Sequence, residues 1–325
     1  MGKHTETKEK KTKKHTGRKV FLFLLILCII AGVWFAKKVN ELDGNWLAVL
    51  LGHNQETLKN LDTLQVLIMG ESTGMSDTII ACAYNPKTQK ASMLSIPRDT
   101  YVTNGNYRNS VYNKINSLYS GGETPEKTLK AVNELTGLNI KYYVLVDTEA
   151  LRKLVDLIGG VEFDVPTNMK YDDYSQDLHI NLKKGLQKLN GQQAEQVVRF
   201  RHNNDGSSYS YEYGNEDYGR MKTQRNLIIA VAKQTIKFKN IKEIKNIINI
   251  MQEDVVTNID LNLIKDYIPY AMNMDLDSIE TAQLPGKSDQ RNGGWFFFHD
   301  EKETKSIVNQ LFKEIEVEEE TVTEE

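Results

Sequence analysis

Five of the chain's nine arginines fall in three short stretches: Arg98 in SIPRDT, Arg199 and Arg201 in VVRFRH, and Arg220 and Arg225 in DYGRMKTQR. With 32 lysines serving as the ordinary surface cation, arginine is used sparingly and its positions are informative. The planar guanidinium keeps its charge at physiological pH and offers a fixed fork of donors to phosphate oxygens. A phosphorylated ligand is the chemistry these stretches suggest. Arg199 and Arg201 stand two apart and would share one face of an extended segment, as a clamp or as a salt-bridged pair. Arg98-Asp99 follows an apolar run, at the strand end where α/β sheets place ligand sites; the alternative is an internal ion pair capping a turn. Asp77, in Ser76-Asp77-Thr78, and Glu71 would supply carboxylates for Mg2+, which takes one or two of them plus substrate and water. The same tripeptide also reads as a turn or cap.

The elements that must carry these residues are α/β in character. Gln65–Gly70 is a short apolar run ending in Gly, and Thr78–Tyr84 and Ala91–Ile96 flank the turn signal Asn85-Pro86-Lys87, which predicts a hairpin. Ser76–Thr78 is expected to close a loop after the first run. Helical patterns cover 126–136, 148–158, 190–198, 219–238, 241–251 and 261–272, with Tyr142–Val146 and Ile279–Leu284 as further strands. Asp217 reads as the cap of the helix that starts at Gly219. The segment between His202 and Asp217 is rich in Tyr, Ser and Gly and reads as a surface loop. Without repeats or a linker after residue 62, residues 64–313 read as one α/β domain with helices on both faces of its sheet.

Composition narrows the function. The 41 basic and 44 acidic residues leave a net charge of −3, which argues against a general nucleic-acid binder. Two cysteines cannot build a disulfide framework. Charge is uneven along the chain: residues 1–19 carry eight basic side chains against Glu6 and Glu9, and Glu314–Glu325 holds seven Glu and no base. Between them, the seventeen residues Val20–Ala36 are free of charge, near the lower limit for a helix across about 30 Å of hydrocarbon. No small-x-small cleavage site follows before Lys37-Lys38, so an uncleaved anchor is expected rather than a signal peptide. The positive-inside rule then leaves residues 1–19 in the cytoplasm and, after a stalk at 37–63, the catalytic domain extracellular, on a single-pass membrane protein.

In order, LIMGESTGMSDTIIACAYNPKTQKASMLSIPRDTYV (67–102), YNKINSLYSGG (112–122), LVDLIGGVEFDVP (154–166), LNGQQAEQVVRFRH (189–202) and DYGRMKTQ (217–224) resemble the LytR-CpsA-Psr family of Gram-positive cell-wall proteins. The resemblance implies a three-layer α-β-α domain with a mixed central sheet enclosing a polyprenyl pocket, with arginines around a pyrophosphate and Mg2+ or Mn2+ beside it. It implies transfer of an anionic glycopolymer, of the teichoic acid or capsular type, from a polyprenyl-pyrophosphate carrier to peptidoglycan. Carried over residue by residue, Arg98, Asp99, Arg199, Arg201 and Arg220 are the catalytic candidates. Lys114, Asn116, Asp217, Gln224 and Arg225 are substrate-binding candidates, and Asp77 and Glu71 the metal ligands. Asp99 is the candidate general base, or else it orients Arg98.

Three positions depart from the family pattern. Gly70-Glu71-Ser72-Thr73 replaces the usual G-V-D-x-R, Thr223 stands where a second Arg is usual, and Ser117 replaces a His. Arg225 would lie about 160° around the helix from position 223. The departures keep two alternatives open: a binding protein for lipid-linked precursors without transfer, and a membrane-bound regulator of envelope genes.

Overall fold

A computed structural model describes residues 13–103, 113–119, 124–214, 216–237, 243–291, 293–313 and 315, with side chains from residue 27 onward except at Ile244. Most of the basic tail, and the acidic tail apart from Ile315, lie outside the described residues. The chain divides into two compact units, up to Leu61 and from Asp62 onward. In the first, α1 (Lys13–Glu41) contains the whole charge-free run Val20–Ala36. Among the described residues, no helix is long and apolar enough to cross a membrane. The stalk forms two short helices, α2 (Trp46–Leu50) and α3 (Gln55–Lys59), where the carboxamides of Asn45 and Asn54 accept the first free backbone N–H groups.

The second unit begins with a hairpin of β1 (Leu64–Ser72) and β2 (Met75–Asn85). Its turn is only Thr73-Gly74, at φ 56° and 84°. Two positive φ angles match strand twist at such a tight turn, so the strands run through the stretch expected to be a loop. β3 (Lys90–Ser95) completes the expected second hairpin. Asn85 Oδ1 accepts the N–H groups of Lys87 and Thr88 in its turn. Then come α4 (Glu126–Thr136), ended by Gly137 at φ 72°, β4 (Tyr142–Asp147) and α5 (Thr148–Leu157).

Four strands follow that the sequence reading left unassigned: β5 (Val161–Val165), β6 (Met169–Asp173), β7 (Leu178–Leu182) and β8 (Gly185–Leu189). They pair as β5–β8 and β6–β7. α6 (Gly191–Arg199) opens on an Asn190–Gln193 capping box. α7 (Glu216–Thr235) starts three residues before the expected Gly219. The rest is α8 (Ile244–Glu253), β9 (Val255–Thr257), α9 (Leu261–Ala271), β10 (Glu280–Gln283), the hairpin β11 (Gly286–Arg291) and β12 (Gly294–His299), and α10 (Glu301–Val308).

The main sheet has the order β10-β3-β2-β1-β4-β9. It is mixed, with β1–β4 and β10–β3 parallel and the other pairs antiparallel. Side chains alternate between its faces. Leu67, Met69, Tyr143 and Leu145 enter one core with Leu129 and Val132 of α4 and Val308 of α10. Their neighbours Ile68, Val144 and Val146 face the opposite way, into a cavity. A second core joins α5, α6 and α7 to the two small sheets through Val155, Phe163, Ile180, Val197 and Leu227.

Candidate functional site

The cavity on that second face has a volume of about 550 Å3. Ile68, Val144 and Val146 of the sheet, Leu151 and Leu154 of α5, and Leu227, Ile228 and Val231 of α7 make its apolar part. Its polar part is Arg98, Arg199, Arg201 and Arg220 with Glu71, Asp77 and Gln224. Four guanidinium groups therefore meet three carboxylates on the wall, Glu71, Asp77 and Asp147, a small surplus that suits an anion.

Each group has a local reason for its place. On β1–β2 the register runs Gly70↔Thr78 and then Glu71↔Ser76. Asp77 is thus the extra residue of a β-bulge, a device that re-aims a side chain. Its Oδ1 accepts from Nη1 of Arg98 at 2.7 Å. Burial opposes the Arg98 charge, but Asp77 and Asp217 more than offset it and hold its pKa above the ordinary value. Arg199 is the last residue of α6, where Glu195 (3.1 Å) and Gln176 (2.8 Å) hold it. Phe200, extended and fully buried, pins the chain between Arg199 and Arg201; both arginines line the cavity, although Arg199 is helical rather than extended and each is also ion-paired, Arg199 to Glu195 and Arg201 to Glu216.

Asp217 is not the expected cap. It lies in the first turn of α7, and its Oδ1 is 2.7 Å from Arg220, 3.8 Å from Arg201 and 4.0 Å from Arg98. These contacts satisfy charge but leave hydrogen bonding incomplete: Nε of Arg98 and of Arg201, and Nε and Nη2 of Arg220, are buried and make no well-directed hydrogen bond among the described residues, Nη2 of Arg220 lying close to Asp217 Oδ1 but poorly aligned with it. Burial lowers the Arg220 pKa despite Asp217, with Arg98 and Arg201 adding repulsion. Unmet charged donors around one cavity are an anion site in waiting. Gln224 donates to the Val198 carbonyl at 3.0 Å, tying α7 to the end of α6.

Other candidates lie elsewhere. Asp99 is outside the wall, paired with Lys114 at 2.7 Å, so its carboxylate is committed to a cation instead of standing ready as a base. Lys114 and Asn116 are also off the wall; the Asn116 N–H donates to the Arg98 carbonyl at 3.2 Å and braces that loop. Arg225 is buried away from the cavity, which lowers its pKa. Thr223 is fully buried and bonds to the Gly219 carbonyl (2.8 Å) and the Tyr213 hydroxyl (3.1 Å). The sequence reading missed Gln176 on the β6–β7 turn, and Tyr119, whose hydroxyl donates to Oε2 of Glu71 at 2.8 Å.

No group of three or more His, Cys, Asp or Glu able to hold a metal occurs among the described residues. The pair Glu71 and Asp77 still fits Mg2+, which keeps waters and takes its remaining ligands from phosphate. Each carboxylate has one oxygen bound, by Tyr119 or by Arg98, and the other uncommitted among the described residues.

The model of the LytR_cpsA_psr family matches residues 35–313. Biofilm regulatory protein A of Streptococcus mutans is 27% identical over 80% of the chain, which spans 66% of that protein's length. The polyisoprenyl-teichoic acid–peptidoglycan teichoic acid transferase TagU of Oceanobacillus iheyensis is 28% identical over 78% of the chain and 76% of its own length. The crystal structure of Bacillus subtilis TagV superposes with a TM-score of 0.62 at 26% identity, covering 78% of this chain and 98% of that one. The chain belongs to the LytR-CpsA-Psr family.

Proposed function

We propose that the protein transfers an anionic glycopolymer from a polyprenyl-pyrophosphate carrier to peptidoglycan; the relatives TagU and TagV are named polyisoprenyl-teichoic acid–peptidoglycan teichoic acid transferases. The observation that carries this reading is an apolar cavity ending at four arginines, three of them with unmet buried donors. A polyprenyl chain suits the aliphatic part between α5, α7 and β4, and a pyrophosphate suits the guanidinium end.

In the reaction, a peptidoglycan hydroxyl attacks the phosphorus next to the glycan, the bond from that phosphorus to the bridging oxygen breaks, and polyprenyl phosphate leaves, the hydroxyl proton passing to the departing phosphate or to water. The chain's part is positioning and charge stabilisation, as in other phosphoryl transfers. Arg98, Arg201 and Arg220 bind the pyrophosphate oxygens with donors that Asp217 leaves unsatisfied, and Arg199 closes the other side. Asp77 and Glu71 would hold Mg2+ or Mn2+, which when bound neutralises charge on the phosphate oxygens. Asp99, through its pair with Lys114, fixes the loop that carries Arg98. Membrane anchoring belongs to the same proposal. Leu27, Ile29, Ile30, Val33 and Trp34 of α1 are all exposed, which favours lipid as their surroundings, with the basic tail inside and the catalytic unit outside.

The test is to incubate the full-length protein in detergent with labelled lipid-linked precursor, Mg2+ and peptidoglycan. Covalent label in the glycan is expected. Binding of the precursor without transfer would replace this reading with that of a precursor-binding protein.

A further inference from the structure

Glu71 is the only glutamate among the wall carboxylates of the described residues, and one of its oxygens is already taken from behind. Tyr119 does not line the cavity. Its ring is 6% exposed and packed in the core with Ile115 and Leu118, so the hydroxyl at 2.8 Å from Oε2 is a fixed donor. A glutamate has one more rotatable bond than the aspartate the family pattern would place there, and Tyr119 removes that freedom.

We infer that Tyr119 is a positioning residue that leaves Glu71 only one oxygen to offer, and so sets which divalent cation the cavity accepts. The inference rests on the reading of Glu71 and Asp77 as Mg2+ ligands. Mg2+ requires near-octahedral coordination and keeps several waters, which single-oxygen carboxylate donors allow. Ca2+ takes 6–8 oxygens in looser geometry and readily uses both oxygens of one carboxylate. Released from the phenol, Glu71 could turn both oxygens to the ion and raise the coordination number. The hydrogen bond therefore favours Mg2+ over Ca2+. A purely structural bond, tying residue 119 to β1, would affect stability and leave cation preference alone.

The experiment measures Mn2+ binding to the full-length protein in detergent, from the free-ion electron paramagnetic resonance signal, with Mg2+ and Ca2+ as competitors. In Tyr119→Phe, the ratio of competition constants should move toward Ca2+ by about tenfold, the lower end of the effect of groups that orient metal ligands. Tyr119→Leu, which also lacks the donor, should give the same shift if the Phe variant proves unstable. An unchanged ratio in a folded variant overturns the inference while leaving the metal site standing. If Glu71→Gln and Asp77→Asn leave Mn2+ binding intact, or the unmodified protein binds none, the metal reading fails and this inference with it.

Discussion

Asp217 and Arg220 meet one helical turn apart on α7, Oδ1 to Nη2 at 2.7 Å, and the same oxygen lies within 4.0 Å of Arg98 and Arg201. One carboxylate thus keeps three guanidinium groups together. Asp217→Asn should leave Arg220, only 6% exposed, as an uncompensated buried charge. The expected loss is about 3 kcal/mol in a urea melt, the low end for breaking a buried pair. Inorganic pyrophosphate should raise the melting temperature of this variant more than that of the unmodified protein, because the anion replaces the missing charge. An equal shift would show that Asp217 does not neutralise the groups that bind the anion.

Removing either arginine near Phe200 should weaken binding of a polyprenyl pyrophosphate. Arg201→Ala should cost about 1.5 kcal/mol and Arg199→Ala up to about 3 kcal/mol, the range of one charge-assisted contact. Arg199→Ala does not orphan Glu195, which also pairs with Arg152 at 3.3 Å. Titration calorimetry with unchanged affinity in both variants would remove these residues from the site.

Asp77→Asn should abolish the Mg2+ dependence of transfer, read as product formed against Mg2+ concentration. An undiminished response would place the metal elsewhere.

Lipid and phosphate recognition should separate. Ile228→Trp fills the apolar part of the cavity and should block binding of a long polyprenyl pyrophosphate while leaving inorganic pyrophosphate bound as before. Loss of both ligands together would mean that the two parts are not independent.

Alkaline pH should unfold the protein through its buried phenols. Burial is the main cause raising the pKa of Tyr119 and Tyr267 to about 12, and it raises Tyr84 and Tyr209 further. In the unfolded chain these groups lose their protons near pH 10, so above that pH the unfolded state binds fewer protons and stability falls. The contribution is complete below about pH 10 and disappears as pH rises toward 12 and beyond. Urea midpoints at pH 9, 10 and 11 should decline, and a flat series would contradict the burial of these rings.

The sequence made the framework readable where local signals agree with tertiary structure. The helical pattern over 126–136 marked α4, and Asn85-Pro86-Lys87 marked the β2–β3 turn. Strands β5 and β7 carried their own signal, since VEFDV and LHINL alternate between buried and exposed, although the pattern is short. The turn at Thr73-Gly74 was harder, because a β-branched residue rarely takes positive φ. Arginine spacing marked the wall at Arg98, Arg199, Arg201 and Arg220, but not which neighbours would neutralise them. Asp99 turned to Lys114, and Asp217 left its capping position for Arg220 one turn along α7 and for Arg201 and Arg98, which only the tertiary fold brings to it. The Tyr119–Glu71 bond spans 48 residues, and no local pattern foretells it.

The bulge at Asp77 also bears on how such a chain can change over time. Below it Gly70 pairs with Thr78, and above it Glu71 pairs with Ser76. Deleting the one codon for Asp77 would bring the hairpin tip back into step with the ladder and leave the Leu67, Met69, Ile79 and Ala81 core facing unchanged. A carboxylate of the cavity wall can therefore be gained or lost in a single inherited event without rebuilding the sheet. On this scaffold, a glycopolymer transferase and a carrier that merely holds its lipid are near neighbours in sequence space.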